Sequence, residues 1–141
     1  MTLGRLHDIL QLAIGWTDSH LHAFEIGDST YGPDDGDAPR TSSTRTRCPC
    51  SRLSRAPRPY LYEYDFGDGW SHRIVVEGVV PQSAALKSAV RLGGEGACPP
   101  ENVGGPGGYA AFLAAMGDSA EAFDPTHFDV AATNIDLQRI R

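Results

Sequence analysis

The stretch from Tyr60 to Val80 has the pattern of a β-hairpin, and this feature most limits the folds open to the chain. Aromatic residues occupy every second position from Tyr60 to Phe66, so they share one face of a strand. Gly-Asp-Gly at residues 67–69 then suits a tight reversal, because glycine tolerates positive φ. Alternation resumes from residue 72. The pattern predicts two antiparallel strands over about residues 60–80, with three polar side chains near the turn: Asp65, Asp68 and His72.

Composition limits the class of protein. The chain has 141 residues, of which 40% are hydrophobic, and this suits one domain spanning residues 1–141. The formal net charge of −6 argues against general nucleic-acid binding, for which a basic surface is expected. The chain has three cysteines, an odd number, and no secretory signal. Both features favour a location in the reducing cytoplasm. No apolar run approaches the ~20 residues of a membrane-spanning helix, so we expect no membrane partner.

Basic residues are concentrated in one segment. Six arginines and no acid lie between Arg40 and Arg58, while the rest of the chain has 6 bases and 18 acids, a balance of −12. Residues 40–59 lack helical or strand periodicity and have few apolar anchors. They therefore cannot offset the ~1–2 kcal/mol of backbone entropy that each ordered residue costs. We expect this Arg-rich segment (residues 40–59) to be a flexible insert.

Periodicity and capping signals predict the remaining elements. Thr2 as N-cap and Gly15 as C′ residue bound a helix over residues 3–14, whose apolar residues form one stripe. The other predicted elements are a strand over His20–Ile26, a short helix over Tyr109–Met116, and a final helix or turn opened by Asp124-Pro125. Residues 27–39 and 93–108, rich in turn-forming residues, are predicted loops. Together they predict an α+β fold: a single small domain, mainly antiparallel sheet, with a central β-hairpin packed by N-terminal and C-terminal helices.

A series of ordered motifs resembles one known family. The motifs are LHDILQ at residues 6–11, GW at 15–16, HLHAF at 20–24, YDFGDGWSH at 64–72, PPENVGG at 99–105, GGY at 107–109, FDP at 123–125 and FD at 128–129. This set resembles the plasmid pRiA4b ORF-3-like family, and the resemblance covers most of the chain. It implies a small prokaryotic α+β domain carried on plasmids, transposons and chromosomes, with some members in mobile elements. It implies no settled biochemical activity.

Two stretches depart from that family's pattern. Family members usually begin with an extra strand before the first helix, and we expect this chain to lack that strand and to expose a sheet edge. The family also usually has an acidic and aliphatic stretch where residues 41–58 are rich in Arg, Ser, Thr, Pro and Cys. Such a composition is typical of GC-rich codons read out of frame. We hypothesise a local frameshift, which resequencing of the gene would test.

Polar residues that could bind a ligand occur in three segments: the predicted strand over His20–Ile26, the hairpin end and the Gly-rich loop. Two histidines two apart on one strand face can coordinate a common metal, and carboxylates would complete a site for Mn, Fe, Zn or Mg. The candidate metal ligands are His20, His22, Asp65, His72 and Glu101. The wider candidate binding cluster adds Asp68 and Asn102. Structural roles are the alternative: cross-strand hydrogen bonds for the histidines, and turn or loop organisation for the others.

Three classes of function fit these features. The one we favour is an accessory or binding module, associated with plasmids and mobile elements, that recognises a protein or peptide partner. One alternative is a metal-dependent hydrolase that uses the His/Asp/Glu cluster, with a divalent metal as its candidate cofactor. The other is a nucleic-acid-binding accessory protein of transposition or recombination, which would use the Arg-rich segment and aromatic residues. The sequence assigns no catalytic residue and leaves open whether the protein is an enzyme.

Overall fold

The computed structural model describes residues 2–33, 59–78, 88–117 and 123–140. These residues form three helices and a four-stranded antiparallel sheet, which confirms the predicted α+β class. None of the helices in these ranges is both long and apolar enough to cross a membrane. The Arg-rich segment lies outside the described residues, apart from Pro59. In chain order the elements are α1 (Leu3–Ile14), β1 (His22–Ile26), β2 (Ser29–Tyr31), β3 (Tyr60–Tyr64), β4 (Trp70–Ile74), α2 (Gly105–Met116) and α3 (Val130–Leu137).

The described residues divide into two compact units. Unit 1 contains residues 2–7, 20–33 and 59–78, and therefore the whole sheet. Unit 2 contains residues 8–19, 88–117 and 123–140, and therefore α2 and α3. The boundary falls within α1, after His7. The packing of C-terminal helices on the hairpin stays a prediction.

Helix α1 has the bounds that its sequence predicts. Thr2 Oγ1 accepts a hydrogen bond from Arg5 N–H at 3.2 Å, and Gly15 ends the helix with a φ of +113°. The most buried line of the helix differs from the predicted apolar stripe. It consists of Leu3, His7 and Gln11, spaced four apart and 0%, 4% and 3% exposed. Two polar side chains can occupy these positions because each has a hydrogen-bond partner, described below.

The sheet has the order β2-β1-β3-β4, and each neighbouring pair is antiparallel. Its buried face carries Tyr60, Tyr62 and Tyr64 of the predicted aromatic alternation, whereas Phe66 lies beyond the end of β3 and is exposed. Tyr62 and Tyr64 of β3 are fully buried, and Phe24 of β1, directly opposite Tyr62, is 1% exposed. Burial of each large apolar side chain contributes about 1.5–3 kcal/mol, so these rings form the core of unit 1.

The β3–β4 hairpin confirms the predicted reversal, with strands on both sides of a loop at residues 65–69. The return strand is shorter than predicted. It ends at Ile74, which lies opposite Tyr60, and residues 75–78 are not in a strand. Pro59 explains this end, since it would face Val75 and has no backbone N–H to donate to the ladder. Residues 79 and 80 lie outside the described ranges.

Strand β2 corrects the prediction of a loop over residues 27–39. Ser29–Tyr31 folds back on β1, so that Phe24 faces Tyr31 and Ile26 faces Ser29. The reversal uses Gly27, which has a φ of +61°. A strand of three residues is too short to give a visible alternation, and this is why the pattern did not reveal it. Strand β1 also begins two residues later than predicted, at His22.

The helices of unit 2 begin at other residues than predicted. Helix α2 starts at Gly105, with a proline in its first turn, so the last four residues of the predicted 93–108 loop are helical. Helix α3 is capped by Asp129, whose Oδ1 accepts from Ala132 N–H at 2.9 Å. The predicted cap, Asp124, instead accepts two hydrogen bonds from Thr126 and closes a separate turn.

Two adjacent glycines of α2 give a matched test of this packing. A Cβ added at Gly108 would overlap the Val103 carbonyl, whereas one at Gly107 would meet nothing within 4 Å. We expect Gly108→Ala to lower the free energy of unfolding by about 1–3 kcal/mol through overpacking. Gly107→Ala should be neutral or stabilising by up to about 1 kcal/mol, because it stiffens the unfolded chain. Urea melts of the two variants measure this difference, and equal effects would contradict the described start of α2.

Candidate functional site

A cluster of three imidazoles surrounds the buried ring of Tyr62 in unit 1. The Tyr62 hydroxyl lies 2.8 Å from Nδ1 of His7, and this hydrogen bond is buried. The His7 ring stacks on the His22 ring, with centroids 3.5 Å apart and planes 10° from parallel. The His72 centroid lies 5.5 Å from that of Tyr62. We call these four residues the histidine cluster: His7, His22, Tyr62 and His72.

The histidine cluster lies in an apolar setting, which affects its charge. Phe24 contacts Tyr62 from the same sheet face, with centroids 4.9 Å apart. Burial lowers the pKa of His72, although hydrogen bonds to the backbone of Tyr62 and Trp70 oppose the shift. Nδ1–H of His72 donates to the Tyr62 carbonyl at 3.2 Å. The net lowering of its pKa by burial favours a neutral His72 at neutral pH.

Asp65 organises the hairpin loop. It is 7% exposed, and its Oδ1 accepts hydrogen bonds from the N–H groups of Gly67 at 3.0 Å and Asp68 at 3.3 Å. Its backbone has a φ of +55°, which aspartate tolerates better than most residues. Oδ2 of the same carboxylate lies 3.5 Å from Nε2 of His20. The contacts of Asp65 and Asp68 are those of the structural alternative: a carboxylate that caps backbone N–H groups and a turn residue.

The Gly-rich loop places Glu101 against another loop of unit 2. Glu101 Oε1 accepts two hydrogen bonds from Thr17, one from its N–H and one from its hydroxyl, both at 2.9 Å. Asn102 is exposed and has a φ of +57°. Burial, and secondarily the charge of Glu101, raises the pKa of Cys98 to about 12. Its thiol therefore stays protonated at neutral pH and is not an activated nucleophile.

Unit 2 also contains a pocket of about 450 Å³ beside the C-terminal end of α1. We call it the acidic pocket, because two carboxylates line it. Two hydrogen bonds fix the loop at residues 17–18 that lines the pocket. The Thr17 hydroxyl donates to Glu101, and Asp18 N–H donates to Oε1 of Gln11 at 2.8 Å. Asp18 has a φ of +55°, an uncommon conformation for a residue other than glycine. The lining residues are Asp8, Gln11, Leu12, Trp16, Thr17, Asp18 and Ile140.

The predicted site residues thus have three different sets of contacts. His20 pairs with Asp65 at the hairpin loop, and His22 stacks on His7. His72 lies in the middle of β4, opposite Tyr62, rather than at the hairpin end. The proposed common metal site of His20, His22, Asp65, His72 and Glu101 stays a prediction. Within the histidine cluster, ligand nitrogens of His7 and His22 lie within 4.8 Å of each other, but the two rings are stacked face to face.

The sequence pattern missed three residues, of which His7 and Gln11 lie on α1 and Asp18 lies beyond its end. His7 is part of the histidine cluster, and Gln11 and Asp18 shape the acidic pocket. One signal was available: His7 and Gln11 follow Leu3 at intervals of four, so all three lie in one line along the helix. Polar residues in line with an apolar residue share its helix face, and where that face is buried they require hydrogen-bond partners. Asp18 has no comparable signal, because its role follows from its backbone conformation.

The Tyr62–His7 hydrogen bond gives the first prediction for this site. Tyr62→Phe removes the hydroxyl and leaves Nδ1 of a buried histidine without this partner, so we expect the free energy of unfolding to fall by about 1–3 kcal/mol. The control is Tyr31→Phe in β2, whose hydroxyl makes no hydrogen bond among the described residues. Urea melts of both variants measure the difference. A Tyr62→Phe variant as stable as Tyr31→Phe would contradict the assigned bond.

The half-buried His72 predicts a loss of stability in acid. Burial lowers the pKa of His72 in the folded state. The unfolded chain therefore binds the proton more readily once the pH falls below the ordinary histidine pKa of about 6.5. Stability should be full above that pH and should decrease as the pH falls through the folded-state pKa. His72→Gln should therefore flatten the dependence of unfolding free energy on pH between about 7.5 and 5. His127→Gln, at an exposed histidine, should keep the wild-type slope.

Sequence comparison extends the resemblance over nearly the whole chain. The pattern of the family described as plasmid pRiA4b ORF-3-like protein matches residues 1–138. A relative from Sinorhizobium fredii (strain NBRC 101917 / NGR234), the uncharacterized protein y4hQ, is 41% identical over 121 residues. The matched part covers 84% of this chain and 61% of that protein. The chain thus spans about three fifths of the length of this relative.

Structural comparison gives the same answer. The crystal structure of MM3350, a protein of unknown function from Methanosarcina mazei Go1, matches with a TM-score of 0.76 and 26% sequence identity. The match covers 96% of this chain and 83% of that one. Sequence pattern, relative and shared fold agree. The chain therefore belongs to the plasmid pRiA4b ORF-3-like family, a plasmid-associated family.

Proposed function

We propose that the protein is a binding module that recognises a protein or peptide partner through a basic side chain, held in the acidic pocket. One observation carries the proposal: Asp8 and Asp18 line the same pocket of about 450 Å³, in a unit whose pocket loop is already fixed. Pockets of about 300–1,000 Å³ with a few convergent polar groups are typical of ligand sites.

The lining of the acidic pocket suits a lysine or arginine side chain. Leu12 and Ile140 supply apolar surface for the aliphatic stem of such a residue. The carboxylates of Asp8 and Asp18 supply acceptors for its cationic group. A purely apolar ligand would bring no donor for hydrogen bonds to the carboxylates, and an anionic ligand would be repelled by them.

The pocket loop needs little reorganisation on binding. Thr17 is held by two hydrogen bonds to Glu101, and Asp18 N–H is held by Gln11, which is itself 3% exposed. The positive φ of Asp18 is sustained by these contacts. A pre-ordered loop lowers the entropy cost of association, which supports a binding role for this pocket.

The charge of the chain favours the same class of partner. The formal net charge is −6, and the chain outside residues 40–58 carries −12. An acidic surface attracts a basic partner over several ångströms and speeds their encounter. This attraction is screened at high salt, so binding should weaken as ionic strength rises.

The proposal is tested by NMR with two small probes. N-acetyl-lysine methylamide and N-acetyl-arginine methylamide are titrated into the full chain, and the indole N–H signal of Trp16 reports on the pocket. We expect a saturable shift with a basic probe, and none with N-acetyl-norleucine methylamide, which keeps the stem but lacks the charge. Asp8→Asn and Asp18→Asn should each weaken binding by about threefold to tenfold, the range for partly exposed ion pairs and charged hydrogen bonds.

Asp28→Asn is the matched control, because it makes the same charge change in the β1–β2 turn and Asp28 does not line the pocket. It should bind the basic probe as the wild-type protein does. An equal loss in all three variants would reduce the effect to net charge. An equal response to the norleucine probe would show that the carboxylates play no part. Either result would contradict the proposal.

A further inference from the structure

We propose that unit 2 contains a second ligand site, which binds a free α-amino acid with an apolar side chain. The site is a cavity of about 400 Å³, lined by residues of α1, of α3 and of the loops that precede α2 and α3. We call it the arginine pocket, because Arg91 supplies the permanent positive charge of its lining. Only Leu12 lines both this cavity and the acidic pocket, so the proposal does not depend on the proposed partner binding.

The guanidinium of Arg91 is fixed in position by several contacts. It lies over the Phe128 ring, 3.6 Å from the ring centroid, and its Nη1–H donates to Thr133 Oγ1 at 2.9 Å. The backbone of Arg91 exchanges two hydrogen bonds with the Asn134 side chain, at 2.7 and 3.0 Å. Phe128 packs so closely on Gly94 that a Cβ added there would overlap the ring. The cation therefore needs little reorganisation to bind a ligand.

The donors of Arg91 match a carboxylate of the ligand. A guanidinium has five N–H donors in a planar fork, and the side-chain hydrogen bond to Thr133 uses one of them. Within the described ranges, no carboxylate forms an ion pair with Arg91, although two aspartates line the same cavity. The planar fork suits bidentate binding of a carboxylate, which the ligand would supply.

The two aspartates indicate that the ligand also has a positive charge. Asp129, Thr133 and Asp136 are spaced by four and three residues, so a carboxylate lies about one helical turn on each side of Thr133. A ligand with a carboxylate alone would be repelled by both. Asp136 is already paired with Arg139 at 3.0 Å, whereas Asp129 bonds only through Oδ1 among the described residues. Its Oδ2 is thus the acceptor for an ammonium group.

The rest of the lining determines the kind of side chain. Leu12, Ile14 and Phe123 supply apolar surface in the same cavity. An α-amino acid has its carboxylate and its ammonium group on one carbon, and its side chain extends from that carbon. Both charges can therefore meet Arg91 and Asp129 while an apolar side chain contacts this surface. The volume of about 400 Å³ lies within the usual range of small-molecule sites.

The experiment titrates L-leucine, L-methionine and L-phenylalanine into the full chain. NMR follows the backbone N–H signals of Ala97 and Thr133 and the Nε–H signal of Arg91. We expect a saturable shift with at least one amino acid. The same molecule without its ammonium group or without its carboxylate should bind at least tenfold more weakly; for leucine these are 4-methylpentanoate and isoamylamine. The indole signal of Trp16, which reports on the acidic pocket, should not move, so the two proposals can fail separately.

Two variants remove the charges of the site. Arg91→Gln should weaken binding of the amino acid at least tenfold, and Asp129→Asn by about threefold to tenfold. Asparagine still caps a helix, so Asp129→Asn keeps the start of α3. It should not weaken binding of the analogue that lacks the ammonium group, whereas a structural defect would weaken both. Arg73→Gln and Asp28→Asn make the same charge changes at exposed residues of unit 1 and should bind as the wild-type protein does.

Three results would overturn the proposal. The first is no saturable shift with any of the three amino acids at about 10 mM, where a site with a Kd near 1 mM is roughly nine-tenths occupied. The second is equal affinity for the amino acid and for either analogue. The third is an equal loss in Arg91→Gln and Arg73→Gln, which would reduce the effect to net charge. The comparison of probes uses the wild-type protein, so it decides the matter even if Arg91→Gln fails to fold.

Discussion

Unit 1 depends on the burial of one phenol. The Tyr62 side chain is fully buried, and a buried tyrosine hydroxyl requires a hydrogen-bond partner. His7 supplies it, and for this reason a polar residue occupies the most buried line of α1. The backbone carbonyl of Tyr62 in turn accepts from His72 on the neighbouring strand. One residue therefore couples the first turns of the helix, the centre of the sheet and the edge strand β4. Its imidazole partners are a consequence of its burial as much as a sign of function.

The two units offer different chemistry to ligands. The histidine cluster presents imidazole nitrogens on an aromatic sheet face. The acidic pocket presents carboxylates above apolar walls, and this setting suits an organic cation. In each unit one residue acts by fixing the position of another residue. Glu101 fixes the pocket loop without lining the pocket, and Tyr62 orients His7 through its hydroxyl.

Elements with a long, regular pattern could be predicted from the sequence. Helix α1 and the β3–β4 hairpin have strong periodicity and clear end signals, and their positions are confirmed. Strand β2 and the start of α2 could not be predicted, because one has three residues and the other begins in a Gly-Pro-Gly-Gly run of low helix propensity. The sequence singles out candidate residues of unit 1 but not the residues that they contact. His7 contacts Tyr62 across 55 positions of sequence, and local patterns carry no information on such a pair.

The register of the hairpin limits where the length of this chain can vary. A strand alternates its faces at every residue, so a one-residue insertion or deletion inside β3 would turn its remaining tyrosines to solvent. Pro59 and the loop at residues 65–69 bound that sensitive stretch on its two sides. Changes of length in family members should therefore concentrate outside residues 60–64, and those five residues should form one of the most length-invariant parts of an alignment.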